Sequence, residues 1–75
     1  MTSDIEKDEL KNLGIRLRGF RQSRNYSQEK FAELTKLDRT YISGLERGLR
    51  NPSYLIIKRI SEVLEINVNQ IFSGE

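Results

Sequence analysis

Arg39, Thr40, Ser43, Gly44 and Arg47 are the residues of this 75-residue chain whose types and spacing point to a chemistry, and that chemistry is recognition. At 3.6 residues per turn, a helix through this stretch gathers them on one side and leaves Ile42 and Leu45, with Tyr41 beside them, on the other. Arginine can bond guanine O6 and N7 as a fork. Threonine can exchange a hydrogen bond while its methyl meets that of thymine, and serine or glycine lets a helix come close to base edges. An ordinary solvated helix face has no need of this short-chained, basic mixture.

The elements around these residues are readable as well. In the run SQEKFAELTKLDRTYISGLERGLRNPS, residues 27–53, Ser27 is an N-cap candidate with Glu29 in the first turn behind it, both favoured at a positive helix end. Phe31, Ala32 and Leu34 supply the apolar contacts of that helix, which must stop near Thr35 because Asp38 is again an N-cap candidate. The helix carrying the polar face then spans about 39–47, with Gly48 free to take the left-handed conformation of a helix end. Two short helices at a tight turn are the layout of a helix-turn-helix, whose second helix enters the major groove of DNA.

A longer helix over about 6–24 precedes them, with Leu10, Leu13, Leu17 and Phe20 as its core stripe. Gly14 and Gly19 each cost it about 1 kcal/mol relative to alanine, which calls for compensating packing, such as another backbone pressed close. Residues 1–5 lack periodicity and are expected to fray. After the loop Asn51-Pro52, Ser53 can cap a fourth helix. Tyr54, Ile57, Ile60, Ser61 and Leu64 share one of its faces, and Leu55, Ile56 and Val63 lie off it. Asn67 can cap a last short helix bearing Val68, Ile71 and Phe72. The expectation is an all-α, five-helix single domain over residues 1–75.

Composition narrows the function. The net charge of +2 hides a division: residues 16–59 hold eleven Lys or Arg against four acids, giving +7, whereas residues 1–15 sum to −2 and residues 60–75 to −3. The positive charge therefore coincides with the helix-turn-helix, as a nucleic-acid site requires. The chain has no cysteine and no histidine, which removes the commonest zinc ligands, the usual general base and the thiol nucleophile. No enzyme activity, metal, cofactor or small-molecule ligand is expected. The longest apolar run, residues 55–57, falls far short of the roughly 20 residues of a membrane span, and the acidic N-terminus is unlike a signal peptide. A soluble, cytoplasmic protein is the expectation.

SQEKFA, LDRTYISGLERG and NPS together resemble the Cro and cI repressor type of helix-turn-helix (the lambda-repressor-like fold) across residues 10–72, and LDRTYISGLERGLRN is similar to the controller proteins of bacterial restriction and modification systems. That resemblance implies a homodimer on a two-half-site operator that times expression of restriction and modification genes, its own included. It implies base contacts from Arg39, Thr40 and Ser43, with Gly44 at a position from which longer side chains of relatives reach the groove. It implies backbone contacts from Gln28, Lys36, Arg47, Arg50 and Asn51, the last two approaching the DNA either at its backbone or in a groove, and a structural salt bridge between Arg21 and Glu46. RNA polymerase is a further partner that such a regulator would meet. Relatives often carry glycine at the position of Lys36, so either the turn is reshaped here or Lys36 takes a left-handed backbone.

Leu55, Ile56, Val63, Ile71 and Phe72, within the region 54–72, are the candidate dimer face, on the expectation that Val68 and at least one of Ile71 and Phe72 complete the monomer core instead. A competing reading uses the same fold as an antitoxin-like or co-activator interaction module, docking another protein on Leu55, Ile56 and Val63.

Overall fold

The structure, a computed structural model, describes residues 3–73. Five helices follow one another, α1 (Asp4–Ser23), α2 (Gln28–Thr35), α3 (Arg39–Glu46), α4 (Tyr54–Leu64) and α5 (Val68–Ser73), and no strand occurs among the described residues. Nor is any described helix long and apolar enough to cross a membrane.

Helix starts follow the capping chemistry of the sequence. Ser27 and Ser53 accept from the backbone N–H groups of Lys30 and Ile56 at 3.0 and 3.3 Å, opening α2 and α4. Ser3 does the same for Glu6 at 3.1 Å, with Asp4 and Glu6 in the first turn. The helix therefore begins at Asp4, where fraying was expected; Met1 and Thr2 lie outside the described residues. Asp38 has the extended backbone of an N-cap, but its side chain makes no capping bond.

The ends of α1 to α4 share a single device. The N–H of Tyr26 bonds the carbonyl of Arg21 and that of Asn25 bonds Gln22; the same pair of bonds closes α2 through Leu37 and Lys36, α3 through Leu49 and Gly48, and α4 through Ile66 and Glu65. Each of these ends needs one residue of positive φ: Asn25, Lys36, Gly48 and Glu65 have φ of 60°, 59°, 76° and 56°. Lys36 thus keeps the turn and takes the left-handed backbone, as Asn25 and Glu65 do at other helix ends.

One core joins all five helices. Leu13 and Leu17 of α1, Phe31 and Ala32 of α2, Ile42 and Leu45 of α3, Ile57, Ile60 and Leu64 of α4, and Ile71 of α5 are buried together. Three sequence expectations are decided here. Leu34 is exposed, and Thr35 takes the inward position with its hydroxyl donating to the carbonyl of Phe31 at 2.7 Å. Tyr54, placed by its spacing on the inner face of α4 as core or rim, is 61% exposed at the first position of that helix. Ile71, named for the dimer face, is 0% exposed and is the one of Ile71 and Phe72 that completes the monomer core, as expected of at least one of them; its carbonyl accepts from Arg16 Nε at 2.5 Å, tying α5 to α1.

The approach of α1 to α3 sets the position of the recognition helix. A Cβ on Gly14 would stand 2.5 Å from the carbonyl oxygens of both Leu45 and Glu46, and one on Gly48 would stand 2.8 Å from Lys11 Cα. Backbone meets backbone at both places, so neither position admits a side chain. Gly19 has open space around it, and the close packing expected of both α1 glycines applies to Gly14 alone.

Candidate nucleic-acid interface

The polar side of α3 is the expected one. Arg39 and Thr40 are exposed in its first turn and Ser43 is half-buried one turn on, opposite the buried Ile42 and Leu45. Arg47 is exposed at the other end, its Nε 3.4 Å from the carbonyl of Ser43. Lys36, exposed in the turn, and Asn51, exposed after α3, flank the same helix. The four exposed N–H groups at the start of a helix and the fork of an arginine are both suited to anionic oxygen.

What holds α3 in place is a buried ion pair. Arg21 Nε lies 2.6 Å from Glu46 Oε2 and Nη2 lies 3.0 Å from Oε1, a two-bond fork, while Nη1 donates to the carbonyl of Tyr26 at 2.7 Å. The two side chains are 9% and 4% exposed. Gln28 completes the arrangement, because its Nε2 donates to Glu46 Oε1 at 3.1 Å. The carboxylate is therefore covered on the side from which it would otherwise repel phosphate. Sequence reasoning assigned Gln28 to DNA backbone and missed this contact; a carboxylate between the core side and the polar side of α3, needing several donors, was the signal for it.

Gly44 departs from its expected role. It is buried under the side chain of Arg50, so it is not open to a base edge. Arg50 itself, expected beyond the helix, folds back along it with its guanidinium carbon 5.8 Å from the centre of the Tyr41 ring. Among the described residues no group of three or more His, Cys, Asp or Glu side chains is placed to hold a metal ion.

On α4 and α5, Leu55 is 72% and Phe72 52% exposed, and Ile56 and Val63 are half-buried against the core. The candidate dimer face keeps these four residues and loses Ile71.

Comparison with known proteins matches this geometry to a family. A family model described as Helix-turn-helix matches residues 17–71. The control protein C.MunI of a Mycoplasma species is 41% identical over 62 residues, covering 81% of this chain and 84% of that protein. Among solved structures, the restriction-modification controller protein C.AhdI from Aeromonas hydrophila superposes with a TM-score of 0.84 at 40% identity, covering 87% of this chain and 98% of that one. The biofilm regulator SinR, solved in complex with DNA, superposes with a TM-score of 0.76 at 32% identity over 79% of this chain and 95% of the solved one. The chain spans only 54% of the whole SinR protein of Bacillus subtilis.

Proposed function

The chain belongs to the helix-turn-helix family of Cro and cI type, and from that membership we propose that it is a DNA-binding transcription regulator of the controller-protein kind, acting in the bacterial cytoplasm as a homodimer. The observation that carries this reading is the exposed, short-chained and basic side of α3, held outward by a buried ion pair at its other edge. Each protomer inserts α3 into the major groove of one half-site, the two lying about one helical turn, roughly 34 Å, apart. Arg39, Thr40 and Ser43 read bases. Gln28, Lys36, Arg47 and Asn51 hold phosphates, which fixes register without reading sequence. Leu55, Ile56, Val63 and Phe72 join the protomers across a two-fold axis. The genes controlled are those of a restriction and modification system, the regulator's own included, and RNA polymerase is the machinery affected.

Two variants separate base reading from phosphate binding. Arg39→Ala should weaken binding to a specific site by about 1–3 kcal/mol and relax preference at a single base pair. Lys36→Ala should weaken specific and random duplexes alike and reduce the slope of log affinity against log salt by about one. Titrations on both duplexes over a range of salt provide the check, and equal losses on the two for Arg39→Ala would defeat its assignment. Sedimentation at micromolar concentration tests the dimer: a monomer would instead favour a protein-docking role for Leu55, Ile56 and Val63.

A further inference from the structure

Gly44 lies on the side of α3 that bears Arg39, Thr40 and Ser43, yet it is buried because the following loop folds back over it. The Leu49 N–H donates to the Gly44 carbonyl at 2.8 Å, and the next residue lays its side chain across the glycine. A methyl on Gly44 would stand 3.1 Å from Arg50 Cγ and 3.3 Å from its Nε, closer than an ordinary contact. The guanidinium of the exposed Arg50 lies over the ring of Tyr41, 5.8 Å from its centre, and that ring is half-buried against the core. An arginine from outside the helix is thus seated on it, by a slot under its stem and an aromatic face under its head.

This seating matters for recognition in two ways. A long surface side chain ordinarily loses rotamer freedom when it binds, and one already held in place loses less. A cation–π contact to the ring does not consume the guanidinium's N–H donors, which stay available for a planar partner. The partner chemistry that suits a fixed, planar fork in a DNA groove is the O6 and N7 edge of guanine.

We propose that Gly44 and Tyr41 form a cradle that positions Arg50 to read a base pair, so that part of the sequence preference of α3 comes from a side chain supplied by the loop behind it. The inference rests on the DNA-binding function above and deepens it: Gly44 and Tyr41 become positioning residues, and a side chain at position 44 displaces Arg50 from its present seat.

The test uses the full chain, an operator selected by that chain from a randomised duplex pool, and a random-sequence duplex. Arg50→Lys keeps the charge but loses the fork and should lose roughly ten- to hundredfold on the operator while changing little on random duplex. Gly44→Ala fills the slot and should lose about three- to tenfold on the operator, with an unchanged or raised melting temperature because alanine favours the helix. In an Arg50→Lys background, Gly44→Ala should then cost less than about twofold, since the group it displaces no longer reads sequence. An equal cost with and without Arg50 would overturn the cradle, as it would mean that the methyl meets the DNA or disturbs α3 directly. Arg50→Lys matching the unaltered chain on both duplexes would overturn it too, leaving Arg50 as a phosphate contact. If the unaltered chain selects no sequence from the pool, the DNA-reading function fails first and the cradle with it.

Discussion

Glu46→Ala should lower the stability of the fold by about 3–5 kcal/mol, the range for removing one partner of a buried ion pair. The Arg21 guanidinium donates twice to that carboxylate and has one other acceptor, the carbonyl of Tyr26, so the variant leaves a nearly buried cation with most of its donors idle. A chain of 75 residues has about 4–11 kcal/mol of stability in all, so the loss is a large share and brings the variant near its unfolding midpoint at ambient temperature. Arg21→Ala should fall in the same range, the stranded carboxylate keeping only Gln28. Replacing both by apolar residues of similar volume should cost far less, because no charge is then left buried. Urea unfolding of the two single variants and the double variant measures all three. Equal losses for the double and single variants would show that the pair contributes through packing instead.

Gly14→Ala should destabilise by about 3 kcal/mol, at the upper end of what overpacking costs. The added methyl would meet two carbonyl oxygens of α3 at 2.5 Å, and backbone cannot rotate away as a side chain can. Relief comes only by moving α1 off α3, which strains the Arg21–Glu46 pair and tilts the recognition helix, so DNA affinity should fall along with stability. Gly19→Ala is the matched control. With nothing within 4 Å of its Cβ position, it should gain up to about 1 kcal/mol from helix propensity. Opposite signs for two glycines five residues apart in one helix, read by urea unfolding, would locate the close approach, and equal signs would refute it.

Much of the fold was legible because its signals are local. Ser27 and Ser53 open helices by bonding N–H groups three residues on, and the spacing of Ile57, Ile60 and Leu64 declares a buried face without reference to any partner. The misreadings arose where three-dimensional placement overrides periodicity. Leu34 and Thr35 differ by one position, and only the angle at which α2 meets the core decides that the threonine goes inward. Tyr54 has the right spacing but is exposed at the start of α4, and only the placement of α5 against the core decides which of the neighbours Ile71 and Phe72 is buried.

The interface shows the same division. Arg39, Thr40 and Ser43 follow from the wheel of one helix, and the Arg21–Glu46 pair from the resemblance to the repressor family. The seat of Arg50 on Gly44 and Tyr41 depends on how a loop returns, which no periodicity encodes. Lys36 lay between these cases. The sequence exposed the conflict in the turn, and the use of the same left-handed helix end at Asn25 and Glu65 shows how it is resolved.

Methylation interference on the operator tests most directly whether α3 reads DNA in the major groove. Guanine N7 lies in that groove and is the acceptor an arginine fork requires. Methylated guanines that block binding should fall in two clusters about one helical turn, roughly 10 base pairs, apart, and Arg39→Ala should become indifferent to methylation at one guanine in each cluster. Binding unaffected by N7 methylation anywhere in the protected region would contradict major-groove reading by this helix.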